Sequence, residues 1–173
     1  MEHLFAPWRM AYILSGAELA TECIFCAFPA AGRERYREHL ILVAQPQAFV
    51  IMNRFPYNNG HVMVVPRQHV GDPADLAPEA YDATLRLVRD STTALRGVLA
   101  PQGFNLGQNL GRVAGAGIEN HVHWHIVPRW NGDTNFMPVL GEAKVISEHL
   151  VATYERLLPA FAALGEGPAP GGA

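Results

Sequence analysis

Three histidines, His121, His123 and His125, alternate with apolar residues in the run 121–127. Side chains alternate between the two faces of a β-strand, so the three imidazoles are expected on one face, successive ones about 6 to 7 Å apart. Imidazole titrates near neutral pH, binds metal ions and attacks phosphorus. The pattern therefore predicts a metal site, or nucleophilic and acid–base chemistry on phosphate. The alternative is a strand whose solvent-facing histidines have no chemical role.

A glycine-rich loop at 111–117 runs directly into the histidines. Gly111, Gly115 and Gly117 allow backbone N–H groups to approach an anion closely. Such a loop by itself is more often a simple connection. Placed before three in-line histidines, it favours phosphoryl or nucleotidyl transfer, which requires both anion-binding donors and a nucleophile.

Cys23 and Cys26 form a C-x-x-C pair, a spacing typical of metal binding or redox chemistry in an intracellular protein. Redox chemistry would require a thioredoxin-like βαβ context, which the sequence does not show. Zinc requires about four ligands, so two more would have to come from elsewhere in the chain. The remaining alternative is a pair of reduced, partly buried thiols.

The composition predicts an ordinary globular domain. The chain has 173 residues, 49% of them hydrophobic and 17% charged, with a net charge of −3 that gives no electrostatic argument for nucleic-acid or membrane binding. The first residues lack the continuous apolar core of a signal peptide, and no apolar stretch has the length of a membrane span. With two cysteines too close together for an ordinary structural disulfide, a cytoplasmic location is expected.

Apolar runs bounded by turn residues predict strands at 39–44, 48–53, 61–65 and 104–109, before the histidine strand. A long helix is predicted from Pro78 onward, because an apolar stripe follows it. The stripe consists of Tyr81, Leu85, Val88, Thr92, Leu95 and Leu99. A last helix is predicted from a second stripe, Leu150, Tyr154, Leu157, Phe161 and Leu164.

This order of elements favours the α+β class, an antiparallel five-stranded meander with helices on one side. Residues 1–164 are expected to form a single domain, with an N-terminal segment and the C-x-x-C at 1–38 and the core at 39–164. The Gly- and Pro-rich tail at 165–173 is expected to be disordered. Pairing of sheet edges between two subunits would remove an exposed edge, so a homodimer is expected.

The run 121–127 resembles the signature of the histidine triad (HIT) family of nucleotide hydrolases and transferases. Two further segments match in the family's order, an Asn-to-Gly-His strand pair at 53–66 and a phosphate-side segment at 103–111. The resemblance covers roughly residues 20–160. Segments 8–13 and 128–136 are similar to one branch of the family, the bacterial diadenosine tetraphosphate phosphorylases.

The resemblance implies that His123 attacks the α-phosphorus of a diadenosine polyphosphate or another adenylylated substrate and forms a covalent nucleotidyl-histidine. His121 and His125 would flank it and help to hold the phosphate. The second step would pass the nucleotide to inorganic phosphate or to water, and the sequence does not decide between them. It further implies a dimer whose two sheets join into one larger sheet.

Five further residues are implied in nucleotide or phosphate binding. Asn53 would bind the ribose hydroxyls, His61 would lie beside the triad, and backbone or side-chain groups of Asn109, Gly115 and Gly117 would hold phosphate oxygens or the leaving group. The chain departs from the family at 117 and 118. Many members carry Gln, Ser or Thr there, whereas Gly117 and Ile118 offer no side-chain donor, which puts protonation of the leaving group in doubt.

Members of the family with a C-x-x-C pair commonly bind structural zinc, which implies the ligand set Cys23, Cys26, His69 and His121. His121 cannot then serve phosphate as well, and the zinc assignment is preferred because it gives the cysteines suitable partners. Two other classes remain open. In a metallohydrolase a metal-activated water would attack and no adduct would form. A non-catalytic nucleotide-binding protein would bind AMP without turnover.

Overall fold

A computed structural model describes residues 22–133 and 148–169. The helices are α1 (Ile24–Ala30), α2 (Tyr36–His39), α3 (Pro78–Leu99) and α4 (Leu150–Ala162). The strands are β1 (Ile41–Ala44), β2 (Ala48–Met52), β3 (Val62–Pro66), β4 (Gly103–Gly107) and β5 (Trp124–Arg129). Single turns of 3-10 helix lie at Arg33–Arg35, Pro73–Asp75 and Arg112–Ala114. The sequence motif at 8–13, the end of that at 128–136, and residues 170–173 lie outside the described ranges.

The five strands form one antiparallel sheet, so the predicted α+β class and strand number are confirmed. The order is β1-β2-β3-β5-β4, which departs from a simple meander because β5 lies between β3 and β4. The connection from β3 to β4 contains the long helix α3. A helical crossover can join two strands that run in the same direction and are not adjacent, whereas a tight turn cannot. β5 therefore has a neighbour on each side.

Helix α3 has the predicted start and end, but its buried face differs from the predicted stripe. Tyr81 and Leu85 are each 37% exposed, whereas Leu95 and Leu99 are buried as expected. The remaining buried positions are Ala80, Thr84, Leu87 and Ser91. Small and hydroxyl side chains let the helix lie close to the sheet, and the Thr84 hydroxyl donates to the Ala80 carbonyl at 2.7 Å. The predicted stripe was therefore rotated from the buried face, which it shares only at Leu95 and Leu99.

Both faces of the sheet are covered. Helices α3 and α4 pack on one face, in a core that includes Val50, Val64, Ile126 and Leu157. On the other face, Phe25 of α1 and Tyr36 of α2 pack against strand residues of a second core. The prediction that helices lie on one side holds for the two long helices only. The two short helices were not predicted, and the face they cover is the one that carries the triad histidines.

The free edge of β1 is covered by the chain beyond α4. The backbone N–H of Ala44 donates to the Glu166 carbonyl at 2.8 Å, and the Glu166 N–H returns the bond at 3.0 Å. The N–H of Ala169 donates to the Arg33 carbonyl. Part of the tail that was expected to be disordered therefore lies against the fold, where Glu166 pairs backbone groups of Ala44 that an open edge strand would leave unpaired.

The first strand begins later than predicted. His39 lies in α2, and Leu40, which has a positive φ of 61°, ends that helix before β1 starts at Ile41. Strands β2 and β3 lie within one residue of their predicted ends, and β4 ends at Gly107, two residues early.

Candidate active site

The triad histidines lie in the interior strand β5 and in the segment that leads into it. His125 lies in β5 opposite Met63 of β3 and Gly107 of β4, while His121 and His123 lie in the extended segment just before the strand. The intervening apolar residues are buried on the opposite face, as the alternation predicts. Two of the three histidines are buried, and His125 is half-buried. His121 is 0% and His123 6% exposed, because α1 covers them.

The hydrogen bond of His123 leaves the lone pair of its neutral ring on Nε2. Nδ1 lies 2.9 Å from the backbone carbonyl oxygen of His121. A carbonyl can only accept, so Nδ1 carries the proton and, in the neutral ring, Nε2 carries the lone pair. Burial lowers the pKa of His123, which favours the neutral ring. A neutral imidazole held in one tautomer is what attack on phosphorus requires.

His125 has the opposite tautomer, and His61 sets it. The backbone N–H of Tyr57 donates to Nδ1 of His61 at 3.0 Å, so the proton of neutral His61 is on Nε2. That Nε2 lies 3.0 Å from Nδ1 of His125, which must accept. Neutral His125 therefore carries its own proton on Nε2, as a donor beside His123. The ring centroids of His123 and His125 are 4.9 Å apart.

Gly60 places His61 in this chain of hydrogen bonds. It has a φ of +70°, and a Cβ there would lie 2.4 Å from Cδ1 of Leu99 on α3. The turn therefore requires glycine, both for its backbone conformation and for its close approach to the helix. His61 is fully buried beyond it, and its carbonyl accepts from the Asn53 N–H at 3.0 Å.

The four predicted zinc ligands lie together. Nδ1 of His121 is 3.4 Å from Sγ of Cys23, 3.6 Å from Sγ of Cys26 and 3.2 Å from Nδ1 of His69. Sγ of Cys26 is 3.3 Å from the same His69 atom. Tetrahedral zinc, with bonds of about 2.3 Å to sulfur and 2.0 Å to nitrogen, separates its ligand atoms by about 3.3 to 3.8 Å. The donor set and its spacing therefore fit zinc.

The two ring nitrogens of His121 resolve the conflict over its role. Nε2 lies 2.9 Å from the Pro66 carbonyl oxygen and must donate to it, so Nδ1 has the lone pair that faces the cysteines. A carbonyl that fixes the tautomer in this way is typical of metal-binding histidines. Both ring nitrogens are therefore engaged in contacts with protein groups.

Two local features bring the ligands together from distant parts of the chain. Cys23 precedes α1 and Cys26 lies in its first turn, where the N–H groups of Cys26 and Ala27 both donate to the Cys23 carbonyl. After β3, the Val70 carbonyl accepts from the Val122 N–H at 2.7 Å. This bond brings the His69 loop alongside the segment that carries His121.

The other predicted binding residues differ in their burial and in their hydrogen bonds. Oδ1 of Asn53 accepts from the Phe55 N–H at 2.9 Å, which fixes the turn after β2 beside His61. Asn109 is half-buried just beyond β4, and Gly117 is exposed in the loop before the triad. The N–H of Gly115 donates to the Arg112 carbonyl at 2.9 Å, so it closes the turn of that loop. A role for this N–H in binding phosphate would require that bond to open.

Two residues whose rings contact the site histidines were missed, and so was the buried side chain of Gln108. The ring of Phe25 lies 4.9 Å from that of His123, and the ring of Tyr57 lies 4.7 Å from that of His61 and 5.7 Å from that of His125. Nε2 of Gln108 is buried and has no partner among the described residues. The only sequence signal for Phe25 was its place between the two cysteines. Tyr57 had none, because it lies in a turn whose path depends on Gly60.

The far end of β5 is fixed by an ion pair. Nε and Nη2 of Arg129 donate to the carboxylate of Asp133 at 2.6 and 2.7 Å, and Nη1 donates to Oδ1 of Asn105. Nδ2 of Asn58 also donates to Asp133 at 2.7 Å. The bond from Arg129 lowers the pKa of Asp133 to about 2. The guanidinium is thus engaged in holding the strand end and the β2–β3 turn together.

Comparison with known proteins agrees with this geometry. The HIT domain family model matches residues 35–132. An AP-4-A phosphorylase of Mycobacterium tuberculosis is 34% identical over 163 residues, 91% of this chain and 83% of that protein. An adenosine 5'-monophosphoramidase of Schizosaccharomyces pombe is 36% identical over 109 residues, 63% of this chain and 75% of that protein. A Zn-bound histidine triad family protein of Mycobacterium smegmatis superposes with a TM-score of 0.64 at 25% identity, covering 83% of this chain and 95% of that one.

A five-stranded antiparallel sheet with three alternating histidines in its strand β5 and the segment leading into it defines a nucleotide-processing enzyme of the histidine triad class. The chain belongs to the HIT family, as the resemblance predicted. Within the described ranges, every helix is too short or too polar to cross a membrane.

Proposed function

We propose that this enzyme transfers an adenylyl group from diadenosine tetraphosphate to inorganic phosphate, producing ADP and ATP through a covalent intermediate on His123. One observation carries the proposal. The proton of His123 is held on Nδ1 by the His121 carbonyl at 2.9 Å, which leaves Nε2 as a lone-pair nucleophile in a buried ring. Whole-chain similarity to an AP-4-A phosphorylase supports this substrate class and acceptor.

In the first step, Nε2 of His123 forms a bond to the α-phosphorus, and the bond from that phosphorus to the bridging oxygen breaks, releasing ATP. The ring becomes cationic, and its Nδ1–H continues to donate a hydrogen bond to the His121 carbonyl. His125 donates from Nε2 to a phosphoryl oxygen and stabilises the charge that develops there. In the second step, a phosphate oxygen displaces Nε2 and forms ADP. The covalent intermediate divides one difficult displacement into two.

The remaining residues have supporting roles. Asn53, at the end of β2, binds the ribose, while Asn109 and the backbone at Gly115 and Gly117 bind phosphate oxygens or the leaving group. Asn109 or a backbone N–H takes the place of the donor that Gly117 and Ile118 lack. This assignment relies on family resemblance and on position before the triad.

Cys23, Cys26, His69 and His121 hold a structural zinc ion, which supplies a cross-link between α1, the β3–α3 loop and the triad segment. The spacing of the four ligand atoms supports this site. The zinc-bound relative from M. smegmatis shows that a protein of this fold binds zinc.

The enzyme acts as a cytoplasmic homodimer. β4 lies at the edge of the sheet, and Leu106 on it is 55% exposed. Pairing of β4 with the same strand of a second copy would remove that edge and form one larger sheet.

The test is product analysis. The protein is incubated with diadenosine tetraphosphate, with and without inorganic phosphate, beside His123→Ala and a matched control, His149→Ala, which removes an exposed imidazole that caps α4. We expect ADP and ATP only with phosphate, no product from His123→Ala, and wild-type rates from His149→Ala. AMP and ATP without phosphate would instead establish a hydrolase. Similarity to the phosphoramidase makes adenosine phosphoramidate the next substrate to assay.

Two outcomes would contradict the proposal more deeply. A metallohydrolase would turn over without a nucleotidyl-protein adduct, so intact mass spectrometry of the protein quenched during turnover is decisive. Wild-type protein that binds AMP but forms no product from either substrate would be a nucleotide-binding protein.

A further inference from the structure

Phe25 connects the cysteine pair to the proposed nucleophile. It lies between Cys23 and Cys26 in sequence, is 2% exposed, and its ring centroid is 4.9 Å from that of His123 and 5.5 Å from that of His121. The ring of Phe49 on β2 contacts it from the sheet at 6.5 Å. The aromatic ring against which the nucleophile packs is therefore carried by the same short segment as two of the four proposed metal ligands.

His121 makes a second connection between the two sites. Its Nδ1 belongs to the ligand cluster, and its backbone carbonyl accepts the Nδ1 proton of His123 at 2.9 Å. Any movement of His121 would displace the acceptor that sets the tautomer of His123. The proposed nucleophile His123 is thus held by two contacts. One is its hydrogen bond to His121, a proposed metal ligand, and the other is the ring of Phe25, which lies between the proposed ligands Cys23 and Cys26.

We infer that zinc binding sets the orientation of His123, and that Phe25 is the positioning residue that transmits it. This inference rests on the proposed function and the proposed zinc site. Helix α1 has seven residues and no side-chain cap at Cys23, too short to be stable without outside contacts. Thiols bound to zinc fix its start. Phe25 then closes the space beside His123, and the imidazole keeps the rotamer in which Nδ1 reaches the His121 carbonyl.

The first test measures coupling between zinc and Phe25. Zinc-loaded and chelator-treated forms of wild type, Phe25→Ala and Phe25→Leu are mixed with diadenosine tetraphosphate, and the rate of adduct formation is measured in a single turnover. Phe28→Ala is the matched control, because Phe28 lies on the same helix and stacks on His39 at 4.1 Å. We expect zinc removal to slow wild type and Phe28→Ala at least tenfold, but to add less than twofold to the loss in Phe25→Ala. If zinc removal slowed adduct formation by the same factor in wild type and in Phe25→Ala, the inference would be overturned.

The second test does not depend on catalysis. Ring nitrogens of ¹⁵N-labelled histidine report the tautomer of His123 by NMR. We expect a single Nδ1–H tautomer in zinc-loaded wild type and Phe28→Ala, and averaged signals in Phe25→Ala or after zinc removal. Phe25→Leu, which preserves most of the buried volume, should retain the zinc-dependent signal, and it carries the test if Phe25→Ala does not fold.

The two tests separate the two proposals. Tautomer changes as expected, without any adduct in wild type, would refute the proposed function and leave the positioning role supported. A His123 adduct in wild type together with a tautomer that responds to neither zinc nor Phe25→Ala would support the function and overturn the positioning role.

Discussion

Substitution of Gly60 by alanine tests whether the turn before His61 is as constrained as the structure indicates. The φ of +70° costs an L-residue about 1 to 2 kcal/mol. The new Cβ would also lie 2.4 Å from Cδ1 of Leu99, and overpacking of this kind costs about 1 to 3 kcal/mol. Because that methyl group ends a side chain that can shift, we expect a total of about 2 to 3 kcal/mol, well within the stability of a typical domain.

The assay is chemical denaturation, with Gly97→Ala as the matched control. Gly97 lies in α3, and a Cβ there meets nothing within 4 Å. In an exposed helix interior, Gly→Ala should stabilise by about 0.5 to 1 kcal/mol. The same Gly→Ala change should therefore lower the free energy of unfolding at position 60 and raise it at position 97. A Gly60→Ala free energy of unfolding within 0.5 kcal/mol of wild type would refute the reasoning, because neither the backbone cost nor the contact would then be real.

Three further predictions concern the hydrogen bonds and backbone of the fold. His61→Ala removes the donor to Nδ1 of His125, so adduct formation in a single turnover should fall about 10- to 100-fold, and an unchanged rate would exclude the proposed chain of hydrogen bonds. Asp133→Asn should cost about 1 to 2 kcal/mol at neutral pH. Because the folded pKa of about 2 lies below the unfolded value of 3.8, this difference should persist above pH 4 to 5 and disappear as pH falls towards 2. A difference independent of pH in acid denaturation curves would show that the carboxylate charge is not its source. Ala100→Gly should raise the thermal midpoint, with a gain of about 1 kcal/mol, because Ala100 ends α3 with a φ of 46°; a lower midpoint would contradict this.

The five strands and the two long helices were predictable from the sequence, but their arrangement in space was not. Strand positions followed from apolar runs and turns, and α4 from its stripe. The buried face of α3 was not predictable by size, because Thr84 and Ser91 are buried where the helix lies close to the sheet. The position of β5 between β3 and β4 depends on where a crossover helix ends, which no local pattern records. Glu166 pairs with β1 only because α4 returns the chain to that edge.

The candidate site was predictable to the extent that its residues follow one another in sequence. Alternation placed His121, His123 and His125 on one face, but it did not indicate what covers that face. The burial of His121 and His123 comes from α1, which precedes them by about a hundred residues and whose contact through Phe25 no spacing rule could indicate. His69 was assigned to the cysteines by resemblance alone, and the structure brings its Nδ1 to 3.3 Å from Sγ of Cys26.

The tautomers of the histidines in the site follow from the backbone groups that His61, His121 and His123 contact. His121 and His123 each donate to a carbonyl, from Nε2 and from Nδ1 respectively, so the lone pair of His121 lies on Nδ1 towards the cysteines and that of His123 lies on Nε2. His61 accepts from a backbone N–H, which makes it a donor to His125. Under the proposed function, three similar rings in one run of sequence would thereby serve as ligand, nucleophile and donor. Because backbone groups set these tautomers, side-chain substitutions that shift the backbone near Gly60 or α1 should alter the chemistry without touching a triad residue.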